Sequence, residues 1–166
     1  THYGIEDIAT MRAIPNITVL SPADSTETVK ATIAATEFNG PVYLRLTGGM
    51  NNPIVYKEDY KFEIGKAITL KEGSDITIIT TGSMVYYSLE AATLLEEQGV
   101  SATVIDMHTI KPLDTGIINK ACQGVKLIVT IEEHSIIGGL GGAVAEYKST
   151  IKNAPPQLTI GIPDEF

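Results

Sequence analysis

The sequence predicts an α/β fold with three layers, in which helices cover both faces of a mostly parallel sheet, preceded by a fragment of a second α/β domain. Short β-branched runs alternate with segments of helical spacing, which is typical of parallel sheets buried by helices. Between residues 48 and 61 the composition changes to glycine, asparagine and charged residues, as in a linker. The two strands expected before it are too few for a stable sheet. We therefore divide the chain into a domain fragment (1–48), a linker (49–61) and a second domain (62–166).

The first 46 residues predict the order helix, strand, helix, strand. Residues 4–13 have helical spacing, with Glu6 and Asp7 in the first turn, where the helix dipole favours acids. A strand at 17–20 precedes Asp24, which is suited to cap a helix that carries apolar residues on one face (Val29, Ile33 and Phe38). A second strand follows at 42–46. Because parallel strands need neighbours, the missing strands are expected upstream or on a partner.

From residue 62 the pattern predicts a β-β-α-β-α-β-α-β unit, whose first strand is expected to be antiparallel at an edge. Ser83 is expected to cap the first helix of this unit, which has a buried stripe of Val85, Leu89, Ala92 and Leu95. The predicted segments are an extended stretch at 63–70, strands at 75–81, 102–107, 127–131 and 158–162, and helices at 83–98, from 111 to 122, and after the glycines of 138–142.

Composition limits the classes of function. The chain has 166 residues, 43% hydrophobic and 19% charged, which fits one globular domain or one plus a fragment. A net charge of -8 and only two arginines, Arg12 and Arg45, argue against a nucleic-acid surface. No apolar run reaches the roughly 18 residues of a membrane span. A single cysteine, Cys122, excludes an intrachain disulfide and favours a reducing compartment, and residues 1–4 do not resemble a signal peptide but the interior of a longer protein.

Three motifs have both a chemical and a structural interpretation. The glycine-rich run 138–142 resembles a nucleotide-binding turn, but the pattern fails at Val144, so close packing of a helix against a strand is favoured. Gly82-Ser83 is compatible with an anion site, although simple helix capping is favoured. Residues 132–135 (Glu-Glu-His-Ser) are compatible with metal or acid–base chemistry, but a hydrogen-bonded domain contact is favoured. His108 and Cys122 are expected to be structural residues.

Taken in order, the motifs resemble a known family. Residues 1–8 (THYGIEDI), 11–16 (MRAIPN), 21–24 (SPAD) and 40–46 (GPVYLRL) resemble the late part of the pyrimidine-binding domain of transketolase-like thiamine-diphosphate enzymes. Residues 81–83 (TGS), 106–114 (DMHTIKPLD), 132–141 (EEHSIIGGLG) and 161–166 (GIPDEF) resemble the C-terminal domain of the same enzymes. The likeness is strongest to the separately encoded C-terminal subunit of split bacterial and archaeal transketolases.

The resemblance implies two site residues. His2 matches a histidine that contacts the hydroxymethyl-carbonyl end of the substrate, so it is expected to be catalytic and substrate-binding. Arg45 resembles an arginine of the related deoxyxylulose-phosphate synthases and is expected to bind substrate. Thiamine diphosphate and magnesium are implied for the complete enzyme, but the family's cofactor-binding residues lie upstream or on another subunit. We expect no cofactor-binding or metal-binding residue in this chain.

The implied function is transfer of two-carbon ketol units between sugar phosphates, in a cytoplasmic, dimeric enzyme of the pentose phosphate pathway. The implied partners are an N-terminal transketolase section or subunit and further copies of the chain through its C-terminal domain, and the chain is expected to be inactive alone. The alternative is a non-catalytic assembly domain, as in the beta subunits of 2-oxo-acid dehydrogenases, or part of a deoxyxylulose-phosphate synthase. A nucleotide-binding α/β domain is the third interpretation.

Overall fold

The computed structural model describes residues 4–47 and 52–165, and its element order confirms the predicted alternation of strands and helices. The strand at residues 109–111 was not predicted, and the strand at residues 127–135 is longer than the predicted 127–131. The elements are α1 (Asp7–Ala13), β1 (Thr18–Leu20), α2 (Ser25–Glu37), β2 (Val42–Leu44), β3 (Ile68–Lys71), β4 (Ile76–Thr80), α3 (Met84–Glu97), β5 (Ala102–Asp106), β6 (Thr109–Lys111), α4 (Thr115–Ala121), β7 (Leu127–Ser135), α5 (Leu140–Lys148) and β8 (Gln157–Ile162).

The larger sheet has five strands in the order β3-β5-β4-β7-β8. Four of them are parallel, and β3 is antiparallel at the edge, as predicted. Successive side chains of a strand point to opposite faces, so Ile79 packs with residues of α4 and α5, whereas Ile78 packs with residues of α3. The predicted stripe of α3 is confirmed, since Val85 and Ala92 are fully buried and Leu89 and Leu95 are partly buried. This is the expected three-layer α/β arrangement.

The smaller sheet has three strands in the order β2-β1-β6. β1 is parallel to β2 and antiparallel to β6. The expectation that all neighbours of these strands lie upstream or on a partner is therefore wrong for one side of β1, because the second half of the same chain supplies β6. Buried side chains of α1, β1, β6 and α5 close this junction: Ile8, Val19, Ile110 and Ala143.

The described part of the predicted linker, residues 52–61, has no regular secondary structure but packs against the start of α2 and against the larger sheet. The backbone N–H groups of Val55 and Tyr56 donate to Asp24 Oδ2 at 2.6 and 2.9 Å. The Tyr56 hydroxyl donates to Asp106 at 2.7 Å, and this tyrosine is only 8% exposed. The segment is thus anchored by α2 and by the end of β5.

Asp24 caps α2 as predicted, because its side chain accepts the N–H of Glu27 at 2.8 Å. The side of α2 that faces the rest of the chain carries Glu27, which is fully buried, while Val29 and Ile33 are 59% and 56% exposed. The apolar face predicted from spacing therefore faces away from the described residues. No helix within residues 4–47 and 52–165 combines the length and hydropathy needed to cross a bilayer.

One predicted helix cap and one predicted helix start are wrong. α3 begins directly after Ser83, but Ser83 does not cap it: its backbone is already helical, and its hydroxyl donates to Glu133 Oε2 at 2.5 Å and accepts no N–H of the first turn. The helix expected from residue 111 begins only after Asp114, which accepts the N–H of Ile117, because Lys111 is part of β6.

Candidate active site

Arg45 follows β2 directly, and α1 and the end of β7 enclose its guanidinium group. Its Nε donates to Asp7 Oδ2 at 2.9 Å, and its Nη2 donates to the carbonyls of Glu133 at 2.9 Å and Gly4 at 3.3 Å. The hydroxyl of Tyr43 donates to the same Asp7 oxygen at 2.9 Å. The side chains of Arg45 and Asp7 are only 11% and 19% exposed. We call these five residues the Arg45 clamp.

The other predicted site residue, His2, lies outside the described residues, but the chain that follows it is held at two points. The carbonyl of Gly4 accepts from Arg45. The carbonyl of Ile5 accepts the N–H of Ser135, at the end of β7, at 2.7 Å. The larger sheet and the Arg45 clamp thus hold the polypeptide two and three residues after His2.

His134 secures the next turn of the same segment. Its side chain is fully buried, and its Nε2 accepts the N–H of Ala9 at 3.3 Å, while its Nδ1 lies 2.7 Å from the carbonyl of Ser135. Nδ1 therefore carries the proton and the imidazole is neutral. The domain contact predicted for residues 132–135 is confirmed, because this stretch of β7 binds α1 and the residues before it.

Glu132 occupies the helix N-terminus for which the sequence also suggested a nucleotide. Its carboxylate is 2% exposed and accepts the N–H groups of Leu140 and Gly141 at 2.6 and 2.8 Å. Burial raises the pKa of this carboxyl.

A methyl group on Gly141 would lie 2.6 Å from Thr159. The nucleotide interpretation is thus wrong and the close-packing interpretation is confirmed, since protein atoms fill the space where a phosphate would bind. Sequence reasoning missed the role of Glu132, although an acid at the end of a buried strand ahead of a glycine-rich turn is a usable signal.

The carboxyl ends of β4 and β5 are closed by the turn that follows β1. The carbonyl of Ser21 accepts the N–H of Gly82 at 3.1 Å, and its own N–H donates to the carbonyl of His108 at 2.8 Å. In open α/β sheets ligands usually bind at this edge, beside the switch in strand order. Here the edge instead binds the smaller sheet, so the larger sheet acts as a support for the segment that contains Arg45.

A cluster of three buried carboxyl groups lies where α2, the 52–61 segment and β5 meet. We call Asp24, Glu27 and Asp106 the carboxylate cluster; they are 3%, 0% and 0% exposed. Glu27 accepts the N–H of Ala23 at 2.7 Å and the hydroxyl of Tyr60 at 3.0 Å. Glu27 and Asp106 lie close enough for each carboxyl group to influence the pKa of the other. Two neighbouring carboxyl groups in a site without water resist ionising together, so the cluster favours one protonated acid.

The cluster holds that proton because water is excluded. Burial raises the pKa of Glu27 from 4.5 to about 7 and raises the pKa of Asp106 well above its usual value. Oδ1 of Asp106 is buried and has no hydrogen-bond partner among the described residues. Burial and the neighbouring acids also raise the pKa values of Tyr56 and Tyr60. Through Tyr56, the cluster links the start of α2 to the end of β5.

The remaining candidates are structural, as expected. His108 is buried against Phe62, with ring centroids 4.2 Å apart, and burial lowers its pKa to about 4. Cys122 is half-buried at the end of α4, and burial raises the pKa of its thiol, which disfavours a nucleophilic thiolate. Across residues 4–47 and 52–165, no group of three or more His, Cys, Asp and Glu side chains is arranged to hold a metal ion.

Comparison with family models decides the family. The model of the transketolase C-terminal domain matches residues 65–165, and the model of the transketolase pyrimidine binding domain matches residues 1–52. The chain belongs to the transketolase family. The two matches follow each other along this transketolase-family chain in the order that the motifs predicted.

Relatives of this transketolase-family chain are larger proteins. It is 42% identical over 166 residues to an apulose-4-phosphate transketolase subunit of Phocaeicola vulgatus, covering 99% of this chain and 52% of that protein. It is 40% identical over 168 residues to the 1-deoxy-D-xylulose-5-phosphate synthase of Parasynechococcus marenigrum, covering 100% of this chain and 26% of that protein. The chain therefore spans about half the length of the first relative and about a quarter of the second.

A solved structure described as an inactive beta4 tetramer of a split-gene transketolase has the same fold. It superposes with a TM-score of 0.90 at 41% sequence identity and covers 98% of this chain and 54% of that chain. The chain therefore has the fold of this part of the split-gene transketolase chain.

Proposed function

We propose that this chain is the C-terminal portion of a transketolase that transfers two-carbon ketol units between sugar phosphates and that it is inactive alone. The observation that carries the proposal is the Arg45 clamp: it fixes Gly4, two residues after the histidine that matches the family's substrate-contacting position. The division into residues 1–48, 49–61 and 62–166 belongs to the same proposal. A cytoplasmic location is expected from the resemblance.

Two residues are assigned roles at the substrate. His2 is the catalytic residue, because near pH 7 a neutral imidazole donates a hydrogen bond to a developing alkoxide or transfers a proton. Arg45 binds the substrate through Nη1, the one nitrogen of its guanidinium group that makes no hydrogen bond to the described residues. A guanidinium group suits a phosphate or a sugar hydroxyl because its donors are coplanar and permanently charged.

Thiamine diphosphate and magnesium are assigned to parts of the complete enzyme outside this chain. The described residues do not fit magnesium, since none of their groups of acidic side chains, the carboxylate cluster included, is arranged to hold a metal ion. The cofactor's own chemistry, stabilisation of a carbanion, is therefore not attributed to any residue here. Titration calorimetry of the isolated chain with thiamine diphosphate and magnesium is expected to show no binding, and clear binding would contradict this assignment.

The proposed partners are an N-terminal transketolase section and further copies of the chain. Large apolar side chains at the edge strand β8 support contact between copies, because Leu158 and Ile160 are 49% and 45% exposed on one face, and Ile137, shortly after β7, is 59% exposed. The tetramer named for the split-gene relative is consistent with such contacts. Sedimentation of Leu158→Lys is expected to show a smaller assembly than the wild type.

The test of the activity uses the full-length polypeptide combined with its N-terminal section, thiamine diphosphate and magnesium. Ketol transfer from xylulose 5-phosphate to an aldose phosphate is expected, and His2→Ala should lower kcat at least about 100-fold. Decarboxylation of a 2-oxo acid without ketol transfer would refute the proposal. That outcome would favour the second candidate, a section of a deoxyxylulose-phosphate synthase or of a 2-oxo-acid dehydrogenase beta subunit, and the 40% identity to a deoxyxylulose-phosphate synthase supports the first of these two.

A further inference from the structure

We propose that Asp7 is a positioning residue for this reaction, which orients Arg45 and, through Arg45, fixes the chain segment that carries His2. The proposal rests on the proposed function, because that function assigns the substrate contacts to His2 and Arg45. Asp7 itself is not assigned a contact with the substrate.

The geometry at Asp7 sets the direction of the guanidinium group. One carboxylate oxygen, Oδ2, accepts both Arg45 Nε and the Tyr43 hydroxyl, each at 2.9 Å. A charge-assisted hydrogen bond to Nε fixes the plane of the guanidinium group, while Nη2 donates to backbone carbonyls and not to the carboxylate. Burial and the hydrogen bond to Asp7 raise the pKa of Tyr43, so its hydroxyl remains a donor at neutral pH.

The orientation of Arg45 matters because Nη2 joins two separate segments. It donates to the carbonyl of Glu133 at the end of β7 and to the carbonyl of Gly4. Gly4 and His2 are two residues apart, so the chain between their Cα atoms spans at most about 7 Å. A displacement of Gly4 is therefore expected to displace His2 as well. Loss of the Asp7 contact would free Arg45 to rotate and would release Gly4 from β7.

A second oxygen of Asp7 faces the same segment. Oδ1 is buried and has no hydrogen-bond partner within the described residues. A Cβ built on Gly4 would lie 3.9 Å from it. Asp7 therefore contacts Arg45 with one oxygen, and its other oxygen lies on the side of Gly4, next to the start of α1.

The experiment is a double-mutant cycle in the reconstituted enzyme, with ketol transfer from xylulose 5-phosphate as the readout. Asp7→Asn is expected to lower kcat/KM about tenfold in the wild-type background, with KM for the sugar phosphate raised. In the Arg45→Lys background Asp7→Asn should change kcat/KM less than twofold, because the guanidinium group that Asp7 orients is already absent. The control is Glu146→Gln, which removes another ion pair to α1, with Arg12 at 2.6 Å, and should change kcat/KM less than twofold.

An equal tenfold loss in both backgrounds, or no loss in the wild-type background, would overturn the proposal. Hydrogen exchange provides a readout that does not depend on activity: Asp7→Asn should speed exchange of the Ser135 amide, which donates to the carbonyl of Ile5, at least tenfold, and unchanged exchange would also overturn the proposal. If Asp7→Asn does not assemble, Asp7→Glu keeps the charge and should show a smaller loss that also disappears with Arg45→Lys. An enzyme that shows no ketol transfer refutes the proposed function, whereas the exchange result still decides whether Asp7 fixes the segment.

Discussion

Replacement of Glu27 by glutamine should make the protein more stable above pH 7 and leave its stability near pH 5 almost unchanged. Glu27 is fully buried in the carboxylate cluster, beside Asp106. Glutamine has nearly the same shape, carries no charge at any pH, accepts the N–H of Ala23 through its oxygen, and places its NH2 group at the Tyr60 hydroxyl, whose oxygen can accept. The substitution therefore keeps the contact with Ala23 and removes the dependence on pH.

The sign and size of this stability difference follow from the pKa of Glu27. Because burial raises the pKa of Glu27 in the folded protein from 4.5 to about 7, its contribution to stability is complete below about pH 4.5 and is lost as the pH rises through 7. One pKa unit corresponds to about 1.4 kcal/mol, so the loss for this group is roughly 3 kcal/mol. Asp106, whose pKa is also raised, acts in the same direction. At pH 8.5 we expect Glu27→Gln to unfold with a free energy about 2–3 kcal/mol above that of the wild type.

The assay is urea unfolding of the full-length polypeptide at several pH values between 5 and 8.5, with the difference between variant and wild type as the measured quantity. The difference between variant and wild type is used because the contribution of His108 to stability changes with pH in the opposite direction, and it cancels in the difference. The matched control is Glu37→Gln, an exposed acid on the same helix, which corrects for the net charge of -8. A Glu27→Gln difference that is the same at pH 5 and pH 8.5 would refute the reasoning.

Further substitutions test other parts of the structure. Gly139→Ala should lower the free energy of unfolding by about 1–3 kcal/mol, because a methyl group there would overlap the Glu132 carboxylate. Gly142→Ala, in the helix that follows and with only ordinary contacts around its Cβ, should raise it by about 0.5–1 kcal/mol, and equal melting temperatures for the two variants would contradict both. Glu132→Ala should cost about 3 kcal/mol in chemical unfolding, because two buried N–H groups lose their acceptor. His108 should titrate near pH 4 by NMR, and stability from this group should be lost as the pH falls from 6.5 toward 4; a midpoint above 6 would show that the ring is not buried as described.

The sequence was sufficient for the larger sheet because its signals are local. Apolar strands of five or more residues alternate with helices, and Asp24 caps α2 as its position suggests. The three residues of β6 gave no such signal, since a strand this short has no readable alternation and its pairing with β1 depends on a contact across about 90 residues of chain. Ser83 was misassigned as a cap because its partner, Glu133, is also distant in sequence.

Only part of the candidate site could be predicted from the sequence. Arg45 and His2 came from the resemblance, whereas Asp7 could be seen only as an acid in the first turn of a helix. Its contact with Arg45 depends on how β2 lies beside α1, which no local pattern encodes. Glu27 was equally hidden: it looks like another first-turn acid, and its burial is caused by Ala23, Tyr60 and Asp106, two of which lie far along the chain.

The pairing of β6 with β1 has a consequence for the integrity of the molecule. A protease that cut the irregular stretch between residues 52 and 61 would break the covalent connection, yet β6 would remain hydrogen-bonded to β1 and Arg12 to Glu146. The two pieces should therefore stay together through native purification and come apart only in denaturant. Cleavage in this stretch should therefore leave the two pieces associated, and neither piece is expected to fold when it is expressed alone.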